Sequence, residues 1–262
     1  MRYQKTMDET RTGIFAVRTA ELKQAAAFLT LLPVGAAAPA DGPNLARAFW
    51  AFPVIGALIG AIGALVFAFS GGLGLPVLAR ALLALGATAL LTGGLHEDGL
   101  ADTADGLGGG ADRAAMLAIM RDSRSGVFGV MALIFSVGLR VSALTAMADS
   151  YAAADALVAA HAVSRGLLPG AMLLLTPARG DGLGAGAGKP SAVVAVIAVL
   201  IALVFAVLCL GPALGITALI VAALGMGLVG LLAWRRLGGY TGDVLGAAQQ
   251  AGEILVLLAA AR

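Results

Sequence analysis

The sequence predicts an all-α fold: a polytopic membrane helix bundle with about seven transmembrane helices and a short N-terminal interfacial helix. Three observations carry this. The 262 residues are 60% hydrophobic and only 12% charged, and the mean hydropathy is +0.96, against about 45–50% apolar and 25% charged in soluble domains. The apolar residues fall into runs long enough to cross a bilayer, about 20 residues each. The basic residues between those runs lie almost entirely on one side. A disordered chain, a collagen repeat, a disulfide scaffold and an ordinary soluble enzyme are excluded by the first observation alone.

Taken in order, residues 1–24 form a polar segment with Arg2, Lys5, Asp8, Glu9, Arg11, Arg18, Glu21 and Lys23 but no apolar run. That pattern is unlike a secretory signal. Gln24–Pro33 is apolar but too short to cross, and is expected to be interfacial or re-entrant. The long runs are 48–70, 76–95, 126–148, 152–175, 191–210, 213–233 and 243–261. The fourth is weakened by Asp155, His161 and Arg165, and the seventh by Gln249, Gln250 and Glu253. Gly56, Gly60 and Gly63 share small-residue spacing and are expected to pack helix on helix. No internal repeat is visible, so residues 1–262 read as one membrane domain.

Orientation follows the loop charges. One set of loops collects five basic residues before residue 24, plus Arg47, Arg113, Arg121, Arg124, Arg179, Lys189, Arg235 and Arg236. The other side has Arg80 and Arg262. Thirteen against two places the N-terminus and the 96–125, 176–190 and 234–242 connections in the cytoplasm. The net charge of +2 and the lack of a basic stripe with interleaved aromatics argue against nucleic acid. The lipid bilayer is the expected macromolecular surround. Cys209 is the single cysteine, which excludes a disulfide or a thiolate metal site within the chain.

Acidic residues are scarce, and five of the fifteen fall in Glu97–Asp112. Asp98, Asp102 and Asp105 are spaced i, i+4, i+7, within about 60° of one another on a helix face. Three carboxylates so placed repel unless a divalent cation binds, and Mg²⁺ or Mn²⁺ prefers such oxygen ligands. A solvated helix end is the plainer alternative. Behind them come Gly106-Leu107-Gly108-Gly109-Gly110 and the Arg121-Asp122-Ser123-Arg124 segment. Carboxylates for metal, glycines for close approach and arginines for anionic oxygens are the parts of a phosphoryl-transfer site. The glycine run before Lys189 has Leu183 and Pro190 at P-loop positions that need Gly and Ser/Thr, and is rejected. Arg140, Asp155, His161, Arg165, Asp243 and Glu253 are ionisable groups within or at the ends of spans, and such groups need partners or a cavity.

These residues also carry a resemblance. His96-x-Asp98-Gly99-Leu100-Ala101-Asp102-Thr103-x-Asp105-Gly106 resembles the signature of adenosylcobinamide-GDP ribazoletransferase, the cobalamin synthase family. Phe28-Leu29-Thr30-x-Leu32-Pro33, Phe52-Pro53-x-x-Gly56, Ile119-Met120-Arg121-Asp122-Ser123-Arg124, Val163-Ser164-Arg165-Gly166 and Leu237-Gly238-Gly239-x-Thr241-Gly242-Asp243 are similar to further segments of it. The resemblance implies an Mg²⁺-dependent transferase of late cobalamin biosynthesis in the bacterial inner membrane. Adenosylcobinamide-GDP and α-ribazole (or its 5′-phosphate) would give adenosylcobalamin (or its 5′-phosphate) and GMP. It implies Asp98, Asp102 and Asp105 as metal ligands and Arg121, Ser123 and Arg124 as substrate contacts. Arg165, Asp243 and Glu253 would complete the substrate cavity. The nucleophile's proton would go to Asp122, His96 or one of the metal-face aspartates. A complex with other corrinoid-pathway enzymes is compatible with it. Glu97 and Gln250 depart from the family pattern, which often has an apolar residue at the first and Glu at the second.

Two other classes compete. A CDP-alcohol phosphotransferase would share Asp102-Thr103-Ala104-Asp105-Gly106 but needs Ala-Arg where Gly109-Gly110 stand. A secondary transporter would explain Arg165 and Glu253 but should show repeated halves with midplane charges.

Overall fold

The computed structural model describes residues 2–35, 45–147 and 150–261, with side chains from Phe15 onward except at Ser150, Leu183 and Ala185. Residue 148, at the expected end of the third span, and Arg262 lie outside the described residues. Every named element is helical: α1 (Arg2–Leu29), α2 (Leu45–Ala48) with a 3₁₀ turn (Phe49–Ala51), α3 (Phe52–Gly72), α4 (Val77–Thr92), α5 (Leu95–Gly109) and α6 (Arg113–Ile119). They continue with α7 (Val127–Ala146), α8 (Ser150–Leu174), α9 (Leu183–Gly186), α10 (Ala192–Leu210), α11 (Pro212–Leu237) and α12 (Gly242–Ala260). Among the described residues, six helices are long and apolar enough to cross a membrane, and α4 with α5, bent by 91°, makes a seventh if counted as one span. The expected polytopic bundle is what forms.

Helix α1 differs from expectation. The polar segment and the short apolar run are one continuous helix, because no proline interrupts residues 2–29. Its far end is anchored by buried Ala25, Ala26 and Leu29. Buried Glu21 ties it to the 3₁₀ turn by accepting hydrogen bonds from Trp50 Nε1 and Arg18 Nη1, both at 2.7 Å.

The spans with the weakest hydropathy are the centre of the bundle. Two thirds (67%) of the best apolar window of α8 and of α12 is buried, against 22% for the very apolar α10. Polar groups within a span are costly against lipid, so helices that carry them turn inward. Val193, Val196, Leu200, Val204 and Leu208 of α10 are exposed, as a lipid-facing surface would be. Helix α8 packs against α3, α10, α11 and α12. Its crossing with α3 runs through Gly56 and Gly60, where an added Cβ would strike the backbone of His161 and of Leu157 and Val158. The expected packing role of these glycines is met.

Candidate active site

The chain reaches the acidic motif through a sharp turn. Gly93 and Gly94 both adopt left-handed conformations (φ +65° and +69°), accessible to glycine at no steric cost, and α5 leaves α4 at 91°. The motif is therefore a helix packed against α7 and α12, where the sequence alone suggested a cytoplasmic loop and helix. Gly99 and Gly246 permit the α5–α12 crossing. A Cβ on Gly99 would lie 2.8 Å from the Asp243 carbonyl oxygen, and one on Gly246 would lie 3.2 Å from the His96 carbonyl oxygen. That contact sets His96 and Asp98 beside Asp243.

The three aspartates separate into two kinds. Asp105 is buried, and its carboxylate accepts hydrogen bonds from the backbone N–H groups of Gly126 (2.6 Å) and Gly129 (2.9 Å). An anion there satisfies the unpaired donors and the positive end of α7. Glycine is required at both positions, since a Cβ at either would collide with the Asp105 carboxylate. Asp98 and Asp102 are more open, exposed and half-buried respectively. Asp98, Asp243 and Asp105 all repel the charge on Asp102, and Arg179 attracts it. We expect Asp105→Ala to lower stability by about 1–2 kcal/mol, the scale of a lost helix cap. The thermal midpoint should fall equally with and without Mg²⁺; a fall seen only with Mg²⁺ would assign Asp105 to metal instead.

Among the described residues, no three His, Cys, Asp or Glu side chains converge tightly enough to hold a metal ion by themselves. Mg²⁺ sites of another kind use one or two carboxylates, waters and the substrate's phosphates. Asp98, which lines an open cavity, and Asp102, one helical turn along α5, fit that kind.

The 176–190 connection closes the site. Ala178 N–H donates to the Tyr240 carbonyl (2.7 Å) and Tyr240 N–H to the Thr176 carbonyl (2.9 Å). Arg113 donates to the carbonyl oxygens of Leu237 and Ala178, pinning α6 to the same region. Arg179 is thereby delivered to Asp243, at 3.3 Å, with its buried Nη1 free of any hydrogen bond. The sequence showed Arg179 only as a topology charge; its place in Pro177-Ala178-Arg179-Gly180-Asp181 carried no other signal.

The expected phosphate-binding arginines sit further out. Arg121 pairs with Asp181 at 2.6 Å and joins two connections at the surface. Arg124 folds back on Asp122 at 2.6 Å, and Ser123 is exposed on the same turn. Hydrogen bonds from the Arg124 guanidinium and backbone N–H hold the Asp122 carboxyl down to about 2. A carboxylate held that firmly in its ionised form is a poor proton acceptor.

Arg165 and Glu253 do not face the cavity. They belong to a buried network behind it, with Arg140 and His161. Glu253 lies 2.9 Å from Arg140 Nη1, 3.1 Å from His161 Nδ1 and 3.5 Å from Arg165 Nη1, and accepts a hydrogen bond from Gln249 at 2.7 Å. Glu97 also faces Arg140, at 3.4 Å, and accepts from Gln250 Nε2 at 3.1 Å. The two residues that depart from the family pattern thus touch each other. Two guanidinium groups face two carboxylates. Asp155 stands apart, exposed on α8.

A polytopic helix bundle with carboxylates beside a cavity, cationic side chains near them and a buried ionic network beneath defines a membrane-embedded enzyme. The cobalamin-5-phosphate synthase family model matches residues 21–261. A protein of Bradyrhizobium diazoefficiens called adenosylcobinamide-GDP ribazoletransferase is 52% identical over 242 residues, 92% of this chain and 93% of that one. Proteins of the same name from Mesorhizobium japonicum (49% identical; 84% of each chain) and Azorhizobium caulinodans (45%; 91% of this chain, 94% of that one) are also similar. No solved structure matches. The chain belongs to the cobalamin-5-phosphate synthase family and is a transferase of cobalamin biosynthesis.

Proposed function

We propose that this protein joins adenosylcobinamide-GDP to α-ribazole, or to α-ribazole 5′-phosphate, with Mg²⁺, at the cytoplasmic face of the bacterial inner membrane. The observation that carries the reading is the open pair Asp98 and Asp102, set beside buried His96 within the family's motif. A ribose hydroxyl attacks the phosphorus attached to the corrinoid side chain. The new P–O bond forms as the bond to GMP breaks, and GMP departs. His96, a residue of the cavity lining, takes the hydroxyl proton. Asp98 and Asp102 would hold Mg²⁺, which would supply charge neutralisation for a bound diphosphate. Arg179 adds a positive charge nearby and keeps Asp243 oriented. Arg165, Glu253, Arg140 and His161 support the His96 side of the site from beneath. The orientation rests on the basic-residue asymmetry of the connections.

The phospholipid-synthase alternative is disfavoured by geometry as well as sequence. A Cβ on Gly110 would lie 2.6 Å from the Met116 backbone nitrogen, so the arginine such an enzyme needs has no room. Purified protein given adenosylcobinamide-GDP, α-ribazole and Mg²⁺ should release GMP and form adenosylcobalamin, each only when both substrates are present. Turnover of a CDP-alcohol with no such products would overturn the assignment.

A further inference from the structure

Two cavities meet at Asp98. The first, about 300 Å³, is lined by Phe28, Phe49, Phe52 and Met172 on its apolar side and by His96 and Asp98 on its polar side. The second, about 670 Å³ and more open, lies where α1 faces the α4–α5 bend; Ala27, Thr30, Gly94, Asp98 and Ser125 line it. Asp98, Phe28 and Leu95 belong to both.

We propose that the site is divided at Asp98, the smaller cavity taking the aromatic nucleoside acceptor and the larger taking the corrinoid-linked diphosphate. This rests on the transfer reaction proposed above and adds where each substrate lies.

Size separates the two ligands. A corrinoid macrocycle is several times larger than a nucleoside and cannot enter the smaller cavity, whereas a benzimidazole riboside is matched to it. Chemistry agrees. Phe28 and Phe52 are stacked with centroids 5.9 Å apart, and Phe49 meets Phe52 edge-on at 4.7 Å. Phe49 and Phe52 are each 1% exposed and back the half-buried Phe28, the ring against which a flat apolar heterocycle would pack. Opposite it, His96 is 4% exposed, and its Nδ1 is a buried polar atom without a partner. That nitrogen is enclosed, and the polar group open to a ribose hydroxyl in this cavity is the exposed Asp98. An acceptor placed with its base on Phe28 and its ribose beside His96 turns its hydroxyl toward Asp98. The phosphorus to be attacked then approaches from the open cavity on the other side.

The test uses full-length protein in detergent, with equilibrium dialysis of radiolabelled α-ribazole and steady-state kinetics for both substrates. Met172→Phe narrows the smaller cavity. It should raise the α-ribazole Kd and KM by about tenfold or more and leave the KM for adenosylcobinamide-GDP within about twofold. Ala27→Trp, on the exposed wall of the larger cavity, should do the reverse. Should Met172→Phe fail to fold, Ala27→Trp decides alone: a raised donor KM with unchanged α-ribazole Kd upholds the division. Equal shifts in both KM values, or the opposite pattern, would overturn it. Failure of the wild-type protein to bind α-ribazole or to release GMP would instead remove the underlying reaction; normal turnover with the opposite pattern would remove only the division.

Discussion

Asp98→Asn should lower turnover by about a hundredfold or more, a loss of at least ~3 kcal/mol of transition-state stabilisation. Asp98 is the residue common to both cavities and is exposed to them. Its neighbour Asp102 already feels repulsion from Asp98, Asp105 and Asp243. Removing one like charge relieves that strain, so the thermal midpoint should stay level or rise. A rate loss with undiminished stability separates a group acting on substrate from one holding the fold. Near-normal turnover would reduce the acidic face to a solvated helix end. The reacting centre would then have to move toward Asp243 and Arg179.

Glu253→Gln should produce the opposite signature, a collapse of stability. Buried Arg140, Arg165 and Glu253 form a charge-balanced set with half-buried Glu97, and Glu253 contacts both guanidinium groups. The substitution preserves shape but leaves one buried positive charge without compensation. Removing one partner of such a network costs roughly 3–5 kcal/mol. Arg140→Gln combined with Glu253→Gln restores the balance, and the pair should lose less than the sum of the single variants. Thermal unfolding in detergent measures this directly. A Glu253→Gln protein as stable as the wild type would show that the network is open to water and better read as part of the substrate cavity.

Much of this arrangement was legible in the chain before folding. The apolar runs marked the spans, and the i, i+4, i+7 spacing put Asp98, Asp102 and Asp105 on one helical face. The inward turn of the fourth and seventh runs followed from His161, Arg165, Gln249, Gln250 and Glu253, groups that lipid does not tolerate. What was hidden depended on contacts between distant segments. Spacing places Asp105 on the acidic face but does not reveal the α7 N-terminus across from it. There its carboxylate accepts two backbone hydrogen bonds from that helix terminus. Arg121 and Arg124 carried the motif's charge, yet their partners Asp181 and Asp122 hold them at the surface. Arg179 reaches the site because Tyr240 and Arg113 fix its connection, a tertiary fact with no local trace. Phe28 and Phe52 stood in two separate segments of the resemblance and Phe49 in neither, until α1, the 3₁₀ turn and α3 brought the three rings together. Glu97 and Gln250 looked like unrelated departures, but they are hydrogen-bonded neighbours, which keeps a carboxylate beside Arg140.

We propose that the α5 carboxylates act with a divalent cation on the substrate diphosphate. Turnover of the wild-type protein and of Asp102→Asn, followed as a function of free Mg²⁺, tests it most directly. The wild-type rate should vanish on chelation and return with Mg²⁺. Asp102→Asn should need about tenfold more Mg²⁺ for half its maximal rate, the effect of weakening an ion contact by ~1.4 kcal/mol. Wild-type turnover that survives chelation, or identical Mg²⁺ curves for the two proteins, would contradict the claim.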